Sequence, residues 1–210
     1  MENIIELPRS ERAAEFRAAS FDEVDNTIEL IWTTGATVRR YNWADRTYYN
    51  EELVVSRDAV RLERLNSGAP FLNTHSDYTL SDVIGSVVPG SARITNGQGI
   101  ARVLLSRAAG DADNIQKIKD GVIRNISVGY AIHAVEKIES DSGAIPVWRV
   151  IDWEPLEISA VPVPADAGAQ IRSAPRDAAP LYPCRIIKPE PISHAAARAR
   201  MSMKRRLVGA

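Results

Sequence analysis

Only three side chains in this 210-residue sequence are imidazoles, and each can be weighed as an acid–base group because histidine titrates nearest neutral pH. His75 lies in Phe71-Leu72-Asn73-Thr74-His75-Ser76-Asp77. It follows an apolar strand start and precedes a polar stretch, where a rigid element can present a side chain to a cleft. His75 is therefore the candidate base, and the plainer alternative is a loop histidine bonded to Asp77 or Ser76. His133 alternates with Ala131 and Val135 on an expected strand, either as the third member of a site or as an ordinary strand residue. His194 falls in the C-terminal stretch, away from the other candidates.

Two further segments carry groups that could work with an imidazole. Arg124-Asn125-Ile126-Ser127-Val128-Gly129-Tyr130 places a serine at the entry to a strand with glycine two residues on, which permits close backbone approach by a substrate chain. It is not the Gly-x-Ser-x-Gly elbow of hydrolases. In Asp152-Trp153-Glu154-Pro155-Leu156-Glu157-Ile158-Ser159, Glu157 stands between two apolar residues. A buried carboxylate without a partner costs several kcal/mol, so a histidine or arginine donor is expected beside it. The alternative is an exposed acid on an edge strand.

Composition removes several classes. The chain is 45% hydrophobic, 25% charged and 6% aromatic, with a single cysteine, Cys184, so neither a disulfide framework nor a zinc finger can be built. No His-Glu-x-x-His and no Gly-x-x-x-x-Gly-Lys-Ser/Thr loop occurs, which leaves no metal or cofactor to expect. No stretch approaches the ~20 apolar residues of a membrane span, and the acidic N-terminus lacks the charge of a signal peptide. A soluble cytoplasmic protein is expected. Residues 171–210 hold nine Lys/Arg against two acids, leaving residues 1–170 at a net charge of about −8. An acidic body argues against general nucleic-acid binding.

The elements that must position these groups are mostly strands. Residues 13–41 alternate with turn signals at Asp25-Asn26 and Thr34-Gly35, giving two or three antiparallel strands. Residues 57–66 predict a short helix stopped by Gly68 and Pro70. Phe71-Leu72, residues 83–88, 92–95 and 100–105, separated by Pro89-Gly90 and Asn96-Gly97, read as hairpins. Residues 111–120 read as a helix with Asp111 as N-cap and Gly121 as its stop. Residues 123–135 and 147–163 are again strand-like. The absence of strand–helix alternation disfavours a doubly wound sheet. Five of twelve prolines fall in 171–210, so the boundary is placed near 170. The division is a folded domain over 1–170 and a basic Pro/Ala-rich tail over 171–210, expected to be flexible or processed, with a marginal basic helix over 195–207.

Taken jointly, Asn73-Thr74-His75 followed by Ile84-Gly85, then Asn125-Ile126-Ser127-Val128-Gly129-Tyr130, then Trp153-Glu154-Pro155-Leu156-Glu157-Ile158-Ser159 running into Val161-Pro162-Val163-Pro164-Ala165 resemble the prohead maturation proteases of tailed bacteriophages, serine endopeptidases related to herpesvirus assemblins. The spacing, 52 residues from His75 to Ser127 and 30 from Ser127 to Glu157, matches that family, and the resemblance covers residues 12–172. It implies Ser127 as nucleophile, His75 as general base and Glu157 as the acid that orients the imidazole. Because the herpesvirus relatives use a second histidine in the third role, His133 stays a rival to Glu157. The usual Asn-His pair is split here by Thr74. The implied fold is α+β, mainly β: a partly closed antiparallel β-barrel flanked by a few helices, herpesvirus-protease-like. The implied setting is an assembling procapsid in the host cytoplasm. The implied partners are the major capsid protein precursor and scaffold protein as substrates, the chain itself, and further copies of it through self-association. Against this stand two other readings, a non-catalytic capsid-assembly or scaffold-associated protein on the same fold, and a hydrolase of small acyl substrates.

Overall fold

Alternation of apolar and polar residues sets the strands of the computed structural model, which describes residues 3–15, 21–43, 45–138, 144–162 and 181–187. The first half carries β1 (Asn3–Pro8), β2 (Ser10–Glu15), β3 (Phe21–Asp22), β4 (Thr27–Thr33), β5 (Val38–Asn42) and β6 (Thr47–Leu53). Then come helix α1 (Glu63–Asn66), β7 (Pro70–Asn73), β8 (Val83–Val87), β9 (Arg93–Thr95) and β10 (Gln98–Leu105). Helix α2 (Ala112–Lys119), β11 (Asn125–Ile138), β12 (Val147–Ala160) and β13 (Leu181–Ile187) complete the described chain.

Local chemistry explains the turns. Asn96 and Gly97 both take left-handed backbone angles, φ 51° and 72°, the geometry that a two-residue hairpin turn needs to match strand twist. β9 and β10 pair across it. Between β3 and β4 the Asp22 carboxylate accepts the N–H groups of Val24 and Asp25 at 2.9 and 3.2 Å, turning the chain straight back. Helix α2 buries Ile115 and Ile118, as their spacing predicts. Asp111 does stand at its N-cap, but its carboxylate accepts the Ser106 hydroxyl rather than a helix N–H. The helix expected over 57–66 contracts to the four residues of α1. Upstream of it, residues 57–59 make a turn closed by the Val60 N–H on the Ser56 carbonyl, and Val60 is bridged to Trp153.

All thirteen strands join one sheet in the order β1-β13-β11-β12-β7-β8-β10-β4-β3, with β2 on β11, β6 on β12, β5 on β6 and β9 on β10. The mainly-β expectation holds, whereas closure into a barrel does not. The path ends at β1 on one side and at the two-residue β3 on the other, and no pairing among the described residues links them. Nor is the sheet wholly antiparallel, because β12 runs parallel to β6 and β7 and β11 runs parallel to β13. The core fills around Trp153, whose ring lies 5.9 Å from Trp32 and 5.5 Å from Tyr130, centroid to centroid. Since β4 sits far from β11 and β12 along the path, these edge-to-face contacts mean that the sheet curves over a shared core.

The boundary expected near 170 places β13 in the tail, yet residues 181–187 are a strand of the sheet. They pair antiparallel with β1 and parallel with β11. Cys184 is fully buried there, and burial pushes its thiol pKa up to about 11. A short apolar alternation, Leu181-Tyr182-Pro183-Cys184-Arg185-Ile186, is easily lost among prolines and charges. The expected helix over 195–207 and His194 lie outside the described residues. Among the described residues no helix is long and apolar enough to cross a membrane.

Candidate active site

Phe71 and Leu72 are buried and fix β7 against β12, with the register Ile158↔Phe71, Ser159↔Leu72 and Ala160↔Asn73. Beyond Asn73 the chain leaves the sheet sharply. Thr74 and His75 both adopt left-handed backbone angles, φ 54° and 60°, unusual for non-glycine residues and most of all for a β-branched one. Such conformations cost on the order of 1–3 kcal/mol each and persist only where the surroundings over-determine them. Here the Thr74 N–H donates to the Ala160 carbonyl at 3.0 Å, the Ser76 N–H to the Asn73 carbonyl at 3.1 Å, and the His75 N–H to Ser159 Oγ at 3.2 Å. The curl turns the imidazole back over β12. Asn73 contributes its carbonyl to this turn, with its side chain exposed.

Over β12 the ring meets Glu157. His75 Nδ1 lies 2.7 Å from Glu157 Oε1, and Glu157 is only 3% exposed. The same oxygen receives the Arg9 guanidinium, while Oε2 accepts the Ser159 hydroxyl at 2.5 Å. Burial alone pushes this carboxyl upward. The His75 hydrogen bond and charge, the Arg9 charge and the Ser159 hydroxyl outweigh it and hold the pKa below the usual carboxylate range. An ionised carboxylate can only accept, so the proton of the contact sits on Nδ1 and Nε2 is the nitrogen left to take another.

Register decides where Ser127 stands. In the β11–β12 ladder Ser127 pairs with Ser159 and Gly129 with Glu157, and partners across a ladder project to the same face. Ser127, Ser159, Glu157 and the His75 ring therefore share one side of the sheet. The register slips between Gly129 and Tyr130, whose partner is Pro155, so Leu156 is the extra residue of a bulge. A proline without an N–H suits that break. Gly129 is needed for a reason other than substrate approach: a Cβ there would run into Glu157 Oε1 and the Arg9 guanidinium.

His133 lies six residues along β11 from Ser127, about 20 Å away at strand rise. Its Nε2 is 3.6 Å from Glu154 Oε2. The structure thus brings His75 and Glu157 into contact and leaves His133 with Glu154. Asp77 bonds Arg9 at 3.3 Å instead of the imidazole. Sequence reading passed over Arg9 and Ser159. Ser159 carried a signal, two residues beyond Glu157 on the same face, whereas nothing local marks Arg9. Among the described residues no group of three His, Cys, Asp or Glu side chains could hold a metal ion.

Comparison with known proteins gives the geometry its context. The model of the caudovirus prohead serine protease family matches residues 36–181. The chain belongs to that family. The prohead protease segment includes His75, Ser127 and Glu157, and begins after Arg9. The chain is 32% identical over 121 residues to a major capsid protein of Halomonas phage phiHAP-1, covering 58% of this chain and 20% of that protein. It is 40% identical over 58 residues to a capsid polyprotein of Pseudomonas phage PAJU2, covering 28% and 8% respectively. The chain spans a fifth or less of the length of these relatives. No solved structure matches. Both relatives are named for the phage capsid.

Proposed function

We propose that this chain is a serine endopeptidase in which Ser127 is the nucleophile, His75 the general base and Glu157 the acid that orients it. The observation that carries the reading is the 2.7 Å contact between His75 Nδ1 and Glu157 on the face that bears Ser127. A serine hydroxyl is too weakly acidic to attack an amide at neutral pH unless a positioned base takes its proton. His75 Nε2 accepts that proton as Ser127 Oγ bonds the scissile carbonyl carbon. The imidazolium so formed is stabilised by Glu157 and passes the proton to the leaving amine. Water, deprotonated by the same nitrogen, then releases the acyl group and restores Ser127. No cofactor enters these steps.

The substrates of this reading are the major capsid protein precursor, scaffold protein and the chain itself, cut inside the assembling procapsid in the host cytoplasm. Supporting it, segments similar to this chain lie within much longer proteins named for the capsid. The basic stretch that follows β13 in sequence, residues 188–210, is in this reading a site of self-cleavage. A non-catalytic assembly role on the same fold is the second reading, favoured by the capsid names of the relatives.

The deciding experiment is intact mass of wild type beside Ser127→Ala, each incubated alone and with capsid precursor. Discrete fragments from wild type and none from the variant support the protease. Identical fragments from both remove Ser127 from the nucleophile's role, and no fragments from either, in the presence of assembling shells, favours the assembly role.

A further inference from the structure

We propose that residues 9–11 and the rest of strand β2 form an autoinhibitory strap, seated where an extended substrate peptide must lie beside Ser127. The inference rests on the serine endopeptidase reading above. A peptide is presented to a nucleophile on a strand most simply by adding to that strand's edge, where main-chain hydrogen bonds hold it whatever its sequence. One edge of β11 at Asn125–Tyr130 is taken by β12. The other is taken by β2, which runs antiparallel with Ala13 opposite Ser127 and Glu11 opposite Gly129.

Three contacts tie the strap to the site itself. Arg9 donates to Glu157, the residue that orients the base, and to Asp77. Arg40, itself bonded to Glu51 and Tyr130, donates to the main-chain carbonyl of Glu11. A donor aimed at a backbone carbonyl would serve any strand in that seat, including a substrate's. Glu11 Oε2 stands 3.7 Å from His75 Nε2, the nitrogen that has to receive the Ser127 proton. With the strap in place Ser127 is 2% exposed, so substrate has no path to its hydroxyl. The Glu11 side chain is 41% exposed, and exposed ion pairs hold weakly. Release has to break the β2–β11 ladder and the Arg9–Glu157 pair, and a competing peptide strand can replace the ladder bonds it displaces.

The test uses the full chain as wild type, Glu11→Ala, Ser10→Pro/Ala13→Pro and Ser127→Ala. Labelling of Ser127 by a small fluorophosphonate is followed by mass, and deuterium uptake is read over residues 10–15 and over β10. Positions 10 and 13 face alternate sides of the ladder, so one of the two prolines removes a donor to β11 and both break the strand backbone, which should speed exchange over 10–15 while β10 stays protected. The expected result is labelling at least tenfold faster than wild type in the proline variant, and faster than wild type in Glu11→Ala. A proline variant with the released strand that labels at the wild-type rate overturns the strap and leaves the protease reading standing. If Ser127 labels in no form, the released one included, the protease reading fails and the strap with it.

Discussion

Gly129 stands directly across the ladder from Glu157, and the carboxylate together with the Arg9 guanidinium fills the space that a side chain at 129 would need. Gly129→Ala must therefore push the carboxylate off the His75 ring or bend β11. Overpacking of this kind costs about 1–3 kcal/mol. The urea midpoint should fall accordingly, and Ser127-dependent processing should be lost. Gly110→Ala, where an added Cβ meets nothing within 4 Å, should leave both unchanged. Equal behaviour of the two variants would mean that the Glu157 position tolerates displacement.

The third member of the proposed triad can be read directly from kinetics. Glu157→Gln keeps the size of the side chain and removes the charge that fixes the imidazole, so processing should slow on the order of 10⁴-fold. His133→Ala, remote from His75, should stay within about twofold of wild type, the scatter of a residue outside the reacting set. The opposite pattern would transfer the role to His133.

Acid should weaken the fold through the same carboxylate. Glu157 is held below its usual value near 4.5, so the folded chain binds this proton less readily than the unfolded one. The stabilisation is fully present above the usual value and fades as pH falls through the folded-state pKa. Urea midpoints measured from pH 7 to pH 3 should drop more steeply for wild type than for Glu157→Gln. Parallel curves would show that the carboxylate gives no net stabilisation.

Cys184 reports on strand β13. Fully buried and with its thiol pushed up to about 11, it should resist alkylation at pH 8 in the folded protein and react at once in denaturant. Rapid alkylation without denaturant would show that residues 181–187 detach from β1 and β11 in solution.

The sequence exposed the site's contacts unevenly, for physical reasons. Alternation and the Asn96-Gly97 turn revealed β10, which buries every second residue, whereas β11 and β12 were legible as β-rich apolar runs, buried without a break over residues 126–132 and 155–160. The demand of a buried carboxylate for a donor pointed to a histidine or an arginine, and Glu157 has one of each, His75 and Arg9. Which arginine it would be was hidden, since Arg9 reaches the site only through the pairing of β2 with β11. Sheet closure was equally hidden. Whether strand ends meet depends on pairings such as β12 with β6 and β7, which are parallel and leave no hairpin signal. The inclusion of β13 was masked by the prolines around it.

One consequence follows from the spread of the site along the chain. His75 and Glu157 are 82 residues apart and Arg9 and Glu157 are 148 apart, so no local fragment contains a working set. Contacts of such long sequence separation form late, after loop closure over most of the domain. During synthesis Ser127, the proposed nucleophile, emerges before Glu157, the proposed orienting acid. A nascent chain, or one cut short before Ala160, lacks the His75–Glu157 pair, so on the proposed assignment cutting activity would appear only once β12 has been made and paired.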